Sequence, residues 1–264
     1  MKLLEIDLDF VRQWLTHFIG EYTAEQGFSR VVLGISGGLD SSVCAYLAVE
    51  ALGKDNCIGV FMPHQVSNPQ SLEDAQMIAA ELGIRTQLVD ITSKAKPFQE
   101  SFPMMTELQL GNVMARCRMI TLYQISAQEN ALVLGTSNKS EILLGYGTLW
   151  GDLACAFDPL GDLYKTQVRA LAAKIGIPEK ILNKAPSADL WHDQSDEEEL
   201  GMSYSEADRF LVRWIDRGYS REKLLNEGFS EEFIDRIVAR VEGQQFKRTG
   251  PIIPGITDSD ESGK

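Results

Sequence analysis

The stretch Ser36-Gly-Gly-Leu-Asp-Ser-Ser42 interrupts an apolar run that begins at Val31 and resumes at Val43. Its residue types suit an anion. Glycines let the backbone approach closely and point successive N–H groups at one spot. A helix starting near Ser41 adds the positive end of its dipole. Hydroxyls at Ser36, Ser41 and Ser42 supply further donors. The loop reads as a phosphate cradle, yet it lacks the lysine of G-x-x-x-x-G-K-[ST] and the spacing of G-x-G-x-x-G. Asp40 is the odd member. An acid inside an anion site makes sense where a cation bridges it to the phosphate. The plainer alternative, a tight strand-to-helix turn with a capping serine, does not require this whole combination.

The surrounding pattern supplies the elements that must position the loop. Arg30–Ile35 is a short β-branched run without polar alternation, as in a strand buried on both faces. Cys57–Met62, Thr86–Ile91 and Ala131–Thr136 read as further strands. Helical stretches fall between them, at about Ser41–Leu52, Asn68–Leu82 and Val113–Asn130, the last with Asn112 as its cap. A leading helix over Asp9–Gln26 carries Phe10, Trp14, Phe18 and Tyr22 at fourfold spacing. The rhythm breaks over Phe98–Gly111 and in the glycine-rich stretch Gly145–Tyr164. Lys165–Ile175 is helical again. The last third is polar and helical, with a capping box at Ser203–Glu206 and a helix over Ser230–Phe246.

Alternating strands and helices imply an α/β fold, with a parallel sheet covered by helices on both faces and right-handed crossovers. Ligands of such sheets sit beyond the carboxyl ends of the strands, where the Ser36–Ser42 loop lies. The chain of 264 residues is expected to form a single domain, with a loose, disordered tail from about residue 250.

Composition narrows the function. A net charge of −13 argues against a broad electrostatic grip on nucleic acid, but not against a nucleotide. Cys44, Cys57, Cys117 and Cys155 lie far apart, without zinc-ligand spacing, and read as buried reduced thiols. No apolar run reaches membrane-spanning length and the N-terminus shows no signal pattern, so a cytoplasmic protein is expected.

The loop resembles the pyrophosphate loop of the ATP pyrophosphatases, which split ATP between its α and β phosphates and adenylate an acceptor. Four later stretches choose among them: Gly111–Met119 (GNVMARCRM), Gly135–Glu141 (GTSNKSE), Gly145–Val168 (GYGTLWGDLACAFDPLGDLYKTQV) and Pro186–Gly201 (PSADLWHDQSDEEELG). Their order and spacing resemble NAD synthetase. The resemblance implies a doubly wound, Rossmann-like sheet of about five parallel strands with a helical C-terminal part, assembled as a homodimer. It also implies a ligase that joins ammonia to deamido-NAD. The nicotinate carboxylate is adenylated by ATP, ammonia displaces AMP, and NAD, AMP and pyrophosphate are released.

Site residues follow from the same resemblance. Gly34, Ile35, Ser36, Gly37, Gly38, Leu39, Asp40 and Ser41 would hold ATP through its pyrophosphate, with Thr136, Lys165 and Ser187 as further ATP contacts. Asp40 and Glu141 would bind Mg²⁺. Lys165 would offset the phosphate charge, making Asp40, Glu141 and Lys165 the catalytic set. Arg116 would contact deamido-NAD. Without the resemblance, Glu141 reads as an exposed helix acid, Lys165 as a solvated side chain and Arg116 as a surface or interface residue. The acidic run Asp193–Glu199 reads equally as a solvated loop or as a segment near the active site. Phe210, Leu211 and Trp214 read as core.

Three positions depart from the common pattern. Leu149, Ala156 and Phe246 stand where many ammonia-dependent members carry lysine, aspartate and histidine, so contacts to the nicotinate end are not carried over. Asp152 is a weaker candidate for the nicotinate or the ammonia site. The first strand begins only about thirty residues into the chain, which leaves no room for the amidase domain of glutamine-dependent members; free ammonia is the expected nitrogen source. A tRNA-modifying ligase and a non-catalytic nucleotide-binding module are the rivals. The first lacks a basic surface and cysteine sites, and the second does not need paired metal carboxylates.

Overall fold

Short apolar runs such as Val31–Gly34 and Cys57–Phe61 form buried strands, the edge strand Arg85–Leu88 is polar and mostly exposed, and helices occupy the stretches between them. The computed structural model describes residues 2–191 and 194–254. In chain order the elements are α1 (Leu8–Glu25), β1 (Val31–Gly34), α2 (Leu39–Leu52), β2 (Cys57–Phe61), α3 (Pro69–Leu82), β3 (Arg85–Leu88), α4 (Thr92–Ser101), α5 (Glu107–Glu129), β4 (Leu132–Val133) and α6 (Lys139–Leu144). After a long turn-rich stretch come α7 (Lys165–Lys174), α8 (Glu179–Leu182), α9 (Asp196–Leu200), α10 (Tyr204–Leu211), α11 (Arg221–Asn226) and α12 (Glu231–Gly243).

The strands pair in the order β3-β2-β1-β4, all parallel. Val31, Val32 and Leu33 are fully buried, because helices cover both faces. The chain leaves β1 toward β2 on one side and later returns to β4 on the other. The carboxyl end of β1 is therefore the topological switch point, where a crevice opens for a ligand.

Among the described residues the sheet has four strands rather than about five. The expected fifth is reduced to one parallel bridge, Leu134 to Phe157, supported by Ala156 N donating to Val133 O and Gly135 N to Phe157 O, each at 2.8 Å. Pro159 has no N–H to extend the ladder, and the glycine-rich chain turns away.

Two helical expectations change. The broken stretch before residue 111 is mostly helical: α4 contains Pro97, and α5 starts at Glu107. Thr106, not Asn112, caps α5 through a reciprocal capping box with Gln109. Asn112 sits inside the helix and accepts from Thr148 Oγ1 at 2.8 Å. In α1 the buried face is Leu15, Ile19 and Thr23, one residue round from the expected stripe, whose Phe18 and Tyr22 are half-buried against the core while Phe10 and Trp14 are 61% and 58% exposed.

One apolar cluster fills the space between the sheet and α1, α2 and α7. A second cluster, separate from the sheet, joins α6, α10, α11 and α12 around Phe210, which meets Phe229 edge-on at 5.2 Å. Phe210 and Leu211 are fully buried core and Trp214 packs against them. All four cysteines are free thiols, three of them buried. Among the described residues, no helix is long and apolar enough to cross a membrane. The tail expected from about residue 250 is exposed coil over 251–254, and its remainder lies outside the described residues.

The cap at Thr106 fixes where α5 begins. Thr106→Ala should lower stability to urea by about 1 kcal/mol. An unchanged unfolding midpoint would mean that the first turn of α5 does not depend on this cap.

Candidate active site

The loop turns directly from β1 into α2. Ile35 N donates to Val60 O at 3.0 Å, continuing the sheet by one residue. Gly37 then adopts φ 74°, a left-handed conformation suited to glycine. Gly38 is the N-cap of α2 and brings no side chain to cap it, so the first backbone N–H groups of the helix face the crevice. The helix begins at Leu39, two residues earlier than expected, which draws Asp40 into its first turn.

The serines divide. Ser36 is exposed, and its Oγ accepts from Gly38 N at 3.2 Å. Ser41 Oγ lies 3.1 Å from Ser36 Oγ and accepts from Ser36 N. Ser42 is fully buried and donates to Gly38 O at 2.7 Å, so it closes the turn rather than facing the crevice.

Asp40, Glu141 and Lys165 come together from three helices. Lys165 Nζ donates to Asp40 Oδ2 and, at 3.0 Å, to Glu141 Oε1. Its side chain is 7% exposed, and each carboxylate side chain is 16% exposed. Burial alone would depress the Lys165 ammonium, but the charges of Asp40 and Glu141 outweigh it and hold it above the ordinary amine range. Burial pushes the Glu141 carboxyl up, Lys165 opposes that rise and Asp40 adds to it. Two of the three ammonium hydrogens are used here, which leaves one for an anion in the crevice.

Each member is anchored. Asn138 donates through Nδ2 to Asp40 Oδ1 at 3.0 Å. Asn138 also caps α6, with Glu141 as the reciprocal partner of its capping box. Lys165 N donates to Ser140 Oγ at 2.9 Å. Ser140 donates in turn to buried Asp208, whose other oxygen accepts from Thr166 N and Oγ1, each at 2.8 Å. The α10 helix thus holds the start of α7 through a carboxylate, and Tyr204 lies beneath the Lys165 ammonium, its ring centroid 5.3 Å away. Asn138, Ser140 and Asp208 were not among the expected site residues. Asn138-x-x-Glu141 is legible as a capping box, but its contact with Asp40 spans 98 residues and leaves no local signal.

The donor set suits a small hard cation. Two carboxylates and one ammonium leave the cluster a net negative charge, and Mg²⁺ is commonly held by one or two carboxylates together with substrate phosphates. Among the described residues, no group of three or more acidic, histidine or cysteine side chains forms a cage for a metal. The arrangement therefore fits a cation whose remaining ligands come from a phosphate and water.

The other expected residues lie around this centre. Thr136 is half-buried between β4 and Asn138. Ser187 Oγ accepts from Asp189 N at 3.1 Å in the coil before α9. Buried Asp196 fastens that coil: its Oδ1 accepts from Ala188 N at 3.1 Å and from Tyr146 Oη at 2.9 Å. The acidic run is thus part solvated helix start and part anchor; its residue Asp193 lies outside the described residues. Arg116 is exposed on α5 and donates to Leu149 O at 3.2 Å. It lines a groove of about 570 Å³ with Phe102, Met104, Met105, Gln109 and Asn112. Leu149 and Ala156 are half-buried, and Phe246 is 57% exposed. The neighbouring Lys247 ammonium donates to Gly145 O and Gly147 O, each at 2.8 Å. Asp152 Oδ1 accepts from Thr148 N at 2.9 Å within its own turn.

A family model described as NAD synthase matches residues 11–251. The NH(3)-dependent NAD(+) synthetase of Chlorobium phaeobacteroides is 46% identical over 259 residues, covering 97% of this chain and 94% of that protein. That of Fusobacterium nucleatum is 43% identical, covering 97% and 99%. Among solved structures, the NH3-dependent NAD synthetase of Campylobacter jejuni aligns with a TM-score of 0.82 and 37% identity over 95% of this chain and all of that one. An NMN synthetase from Francisella tularensis aligns with a TM-score of 0.85 and 32% identity over the same shares.

One carboxyl near the centre is poorly served. Asp158 Oδ1 is buried without a partner. Burial and the negative charge of Glu141 push its pKa up to about 8. Folding therefore favours its protonated form, while an unfolded aspartate is ionised above about pH 4. The native state binds the extra proton between these values, so stability falls as pH rises through this window. Asp158→Asn should flatten that fall, melting higher than the parent at pH 8 relative to pH 5. Identical pH dependence of the two melting temperatures would remove Asp158 as the source.

Proposed function

The chain belongs to the NAD synthase family, and on that premise we propose that it is an ammonia-dependent ligase converting deamido-NAD to NAD at the expense of ATP, with release of AMP and pyrophosphate. The observation that carries this reading is the meeting of Asp40, Glu141 and Lys165 beside an open helix N-terminus at the switch point. A module that only held a nucleotide would not need two carboxylates around a buried lysine.

The chemistry follows from the charges. A carboxylate resists attack by ammonia until one oxygen becomes a good leaving group, and adenylation supplies that. The nicotinate carboxylate attacks the α-phosphorus, and the bond to the pyrophosphate breaks. Negative charge grows on the departing pyrophosphate, where the N–H groups of the Gly37–Ser41 turn and the α2 dipole are already aimed. Lys165 keeps one donor for the phosphates. Asp40 and Glu141 would hold Mg²⁺, which supplies charge neutralisation at the phosphate oxygens when bound. Ammonia then attacks the adenylated carbonyl and AMP leaves. Thr136 and Ser187 are assigned to ATP and Arg116 to deamido-NAD; the groove at Arg116 supports the last assignment.

The reading extends to the whole molecule. The chain acts as one NAD synthetase domain in the cytoplasm, assembled as a homodimer, with small molecules rather than nucleic acid or membrane as partners. A second acceptor has support from the likeness to an NMN synthetase and from the apolar or non-polar residues Leu149, Ala156 and Phe246 at the nicotinate end. Nicotinate mononucleotide is therefore the competing acceptor. NAD formation with deamido-NAD, several-fold faster than amidation of the mononucleotide, is the expected result; the reverse preference would reassign the substrate.

Asp40→Asn keeps the shape of the side chain and removes its charge. Turnover should drop by at least about 10²-fold with the fold intact, and near-parental NAD formation at saturating Mg²⁺ would remove Asp40 from the site. Ammonium should support the reaction and glutamine should not. Because NH₃ is the nucleophile, the rate at low fixed total ammonium should climb with pH toward ~9. A glutamine-supported rate equal to the ammonium rate in purified protein would contradict the assignment.

A further inference from the structure

A second ion cluster touches the loop from α3 and from the coil after α8. Asp74, on α3, is 1% exposed. It accepts from Lys180 Nζ at 2.6 Å and from Lys184 Nζ at 3.1 Å. Lys184 Nζ also donates to Gly37 O at 3.1 Å and to Ser71 Oγ at 3.2 Å. An ammonium has three hydrogens, and these three acceptors use all of them. Unlike Lys165, Lys184 keeps no donor for a ligand.

The loop backbone rests directly on α3. A Cβ at Gly37 would lie 2.2 Å from Ser71 O, so nothing larger than glycine fits between the loop and the helix. Every peptide here is trans. In a trans peptide the carbonyl and the following N–H point in opposite directions. A grip on Gly37 O therefore also fixes Gly38 N–H, which donates to Ser36 Oγ at 3.2 Å at the exposed end of the loop.

We propose that Asp74 and Lys184 are positioning residues for the reaction: Lys184, held by the buried Asp74 carboxylate, fixes the Gly37–Gly38 peptide and, through the bond from Gly38 N–H to Ser36 Oγ, the Ser36 hydroxyl, in the shape that receives the pyrophosphate of ATP. Lys184 lies three residues before Ser187 in the chain, so the same contact ties the loop to the segment carrying that hydroxyl. Asp74 keeps the ammonium from turning to solvent. Although burial raises the Asp74 carboxyl, bonds to Lys180 and Lys184 outweigh it and hold it below the ordinary aspartate range, so the clamp is ionised at neutral pH. The inference rests on the functional reading above for the identity of the anion.

The test compares Lys184→Met, Lys184→Arg, Asp74→Asn and the double variant Asp74→Asn/Lys184→Met in the full chain. Expected for Lys184→Met is a rise on the order of tenfold in KM for ATP and a parallel weakening of inhibition by inorganic pyrophosphate. KM for deamido-NAD should stay within about twofold, and Lys184→Arg should recover most of the loss. Asp74→Asn should move the ATP values in the same direction, and the double variant should add little to Lys184→Met, because both act through one contact. If Lys184 instead served as a direct phosphate ligand restrained by Asp74, Asp74→Asn would lower KM for ATP; that result overturns the proposal. So does a pyrophosphate affinity equal to the parent in both single variants, or an equal loss for both substrates accompanied by a lower melting temperature. Direct titration with inorganic pyrophosphate separates this from the functional reading. Parent protein that binds pyrophosphate but makes no NAD would strike the function, while the difference between parent and variants in that titration would still decide the clamp.

Discussion

The structure is organised around one buried ammonium. Lys165 holds Asp40 and Glu141 in a half-closed crevice where neither carboxylate would tolerate the other without it. Removing one partner of such a buried set leaves an uncompensated charge, so the three are held as a unit. That demand explains much of the surrounding architecture. Asp40 must ride on the first turn of α2, Glu141 on the first turn of α6 and Lys165 on the first turn of α7. Three helix starts meet at this cluster, and each places the positive end of its dipole near the two carboxylates.

Keeping three helix starts in register needs support from outside the sheet. Asp208 supplies it, joining Ser140 on α6 to Thr166 on α7 through one fully buried carboxylate. This explains why the polar last third of the chain builds its own apolar cluster. The packing of Phe210, Phe229 and Phe233 holds α10 in place, and α10 brings Asp208 and Tyr204 to the centre. The C-terminal helices are thus part of the site's frame, although none of their residues had been assigned to it from motifs. On the opposite side, Asp196 and Tyr146 brace the coil that carries Ser187. Asp196 and Asp208 are thus hydrogen-bonded in place around the centre, whereas Asp158 keeps one buried oxygen without a partner.

The groove at Arg116 obeys a different logic. Its walls come from α4, the start of α5 and the chain between them, and they are largely apolar and exposed. Arg116 is steered by a backbone carbonyl at Leu149, not by a charged partner. A guanidinium held this lightly can turn toward an anionic ligand at small energetic cost, whereas Lys165 is committed to its carboxylates. The two cations thus differ in kind: Lys165 is fixed between its two carboxylates, and Arg116 can adapt at the wall of its groove.

The sequence alone determined the alternation of strands and helices, the glycine- and serine-rich loop between β1 and α2, and the family. These rest on local signals: β-branched runs, glycines before a helix, and motifs in order. Helix caps were legible where the box was complete, as at Ser203–Glu206, and misplaced where a plausible asparagine competed: Asn112 resembles a cap, but the reciprocal bonds form at Thr106 and Gln109. The count of strands also escaped, because one bridge at Phe157 depends on where Pro159 and the turn-rich chain leave the sheet edge. The tertiary structure decided which charges meet. Asp40 and Lys165 stand 125 residues apart, Ser140 and Asp208 68, and Gly37 and Lys184 147. No local pattern encodes such pairs. Their partners are chosen by the crossing of helices over a parallel sheet, and burial then leaves each charge only the neighbours that the fold has brought to it.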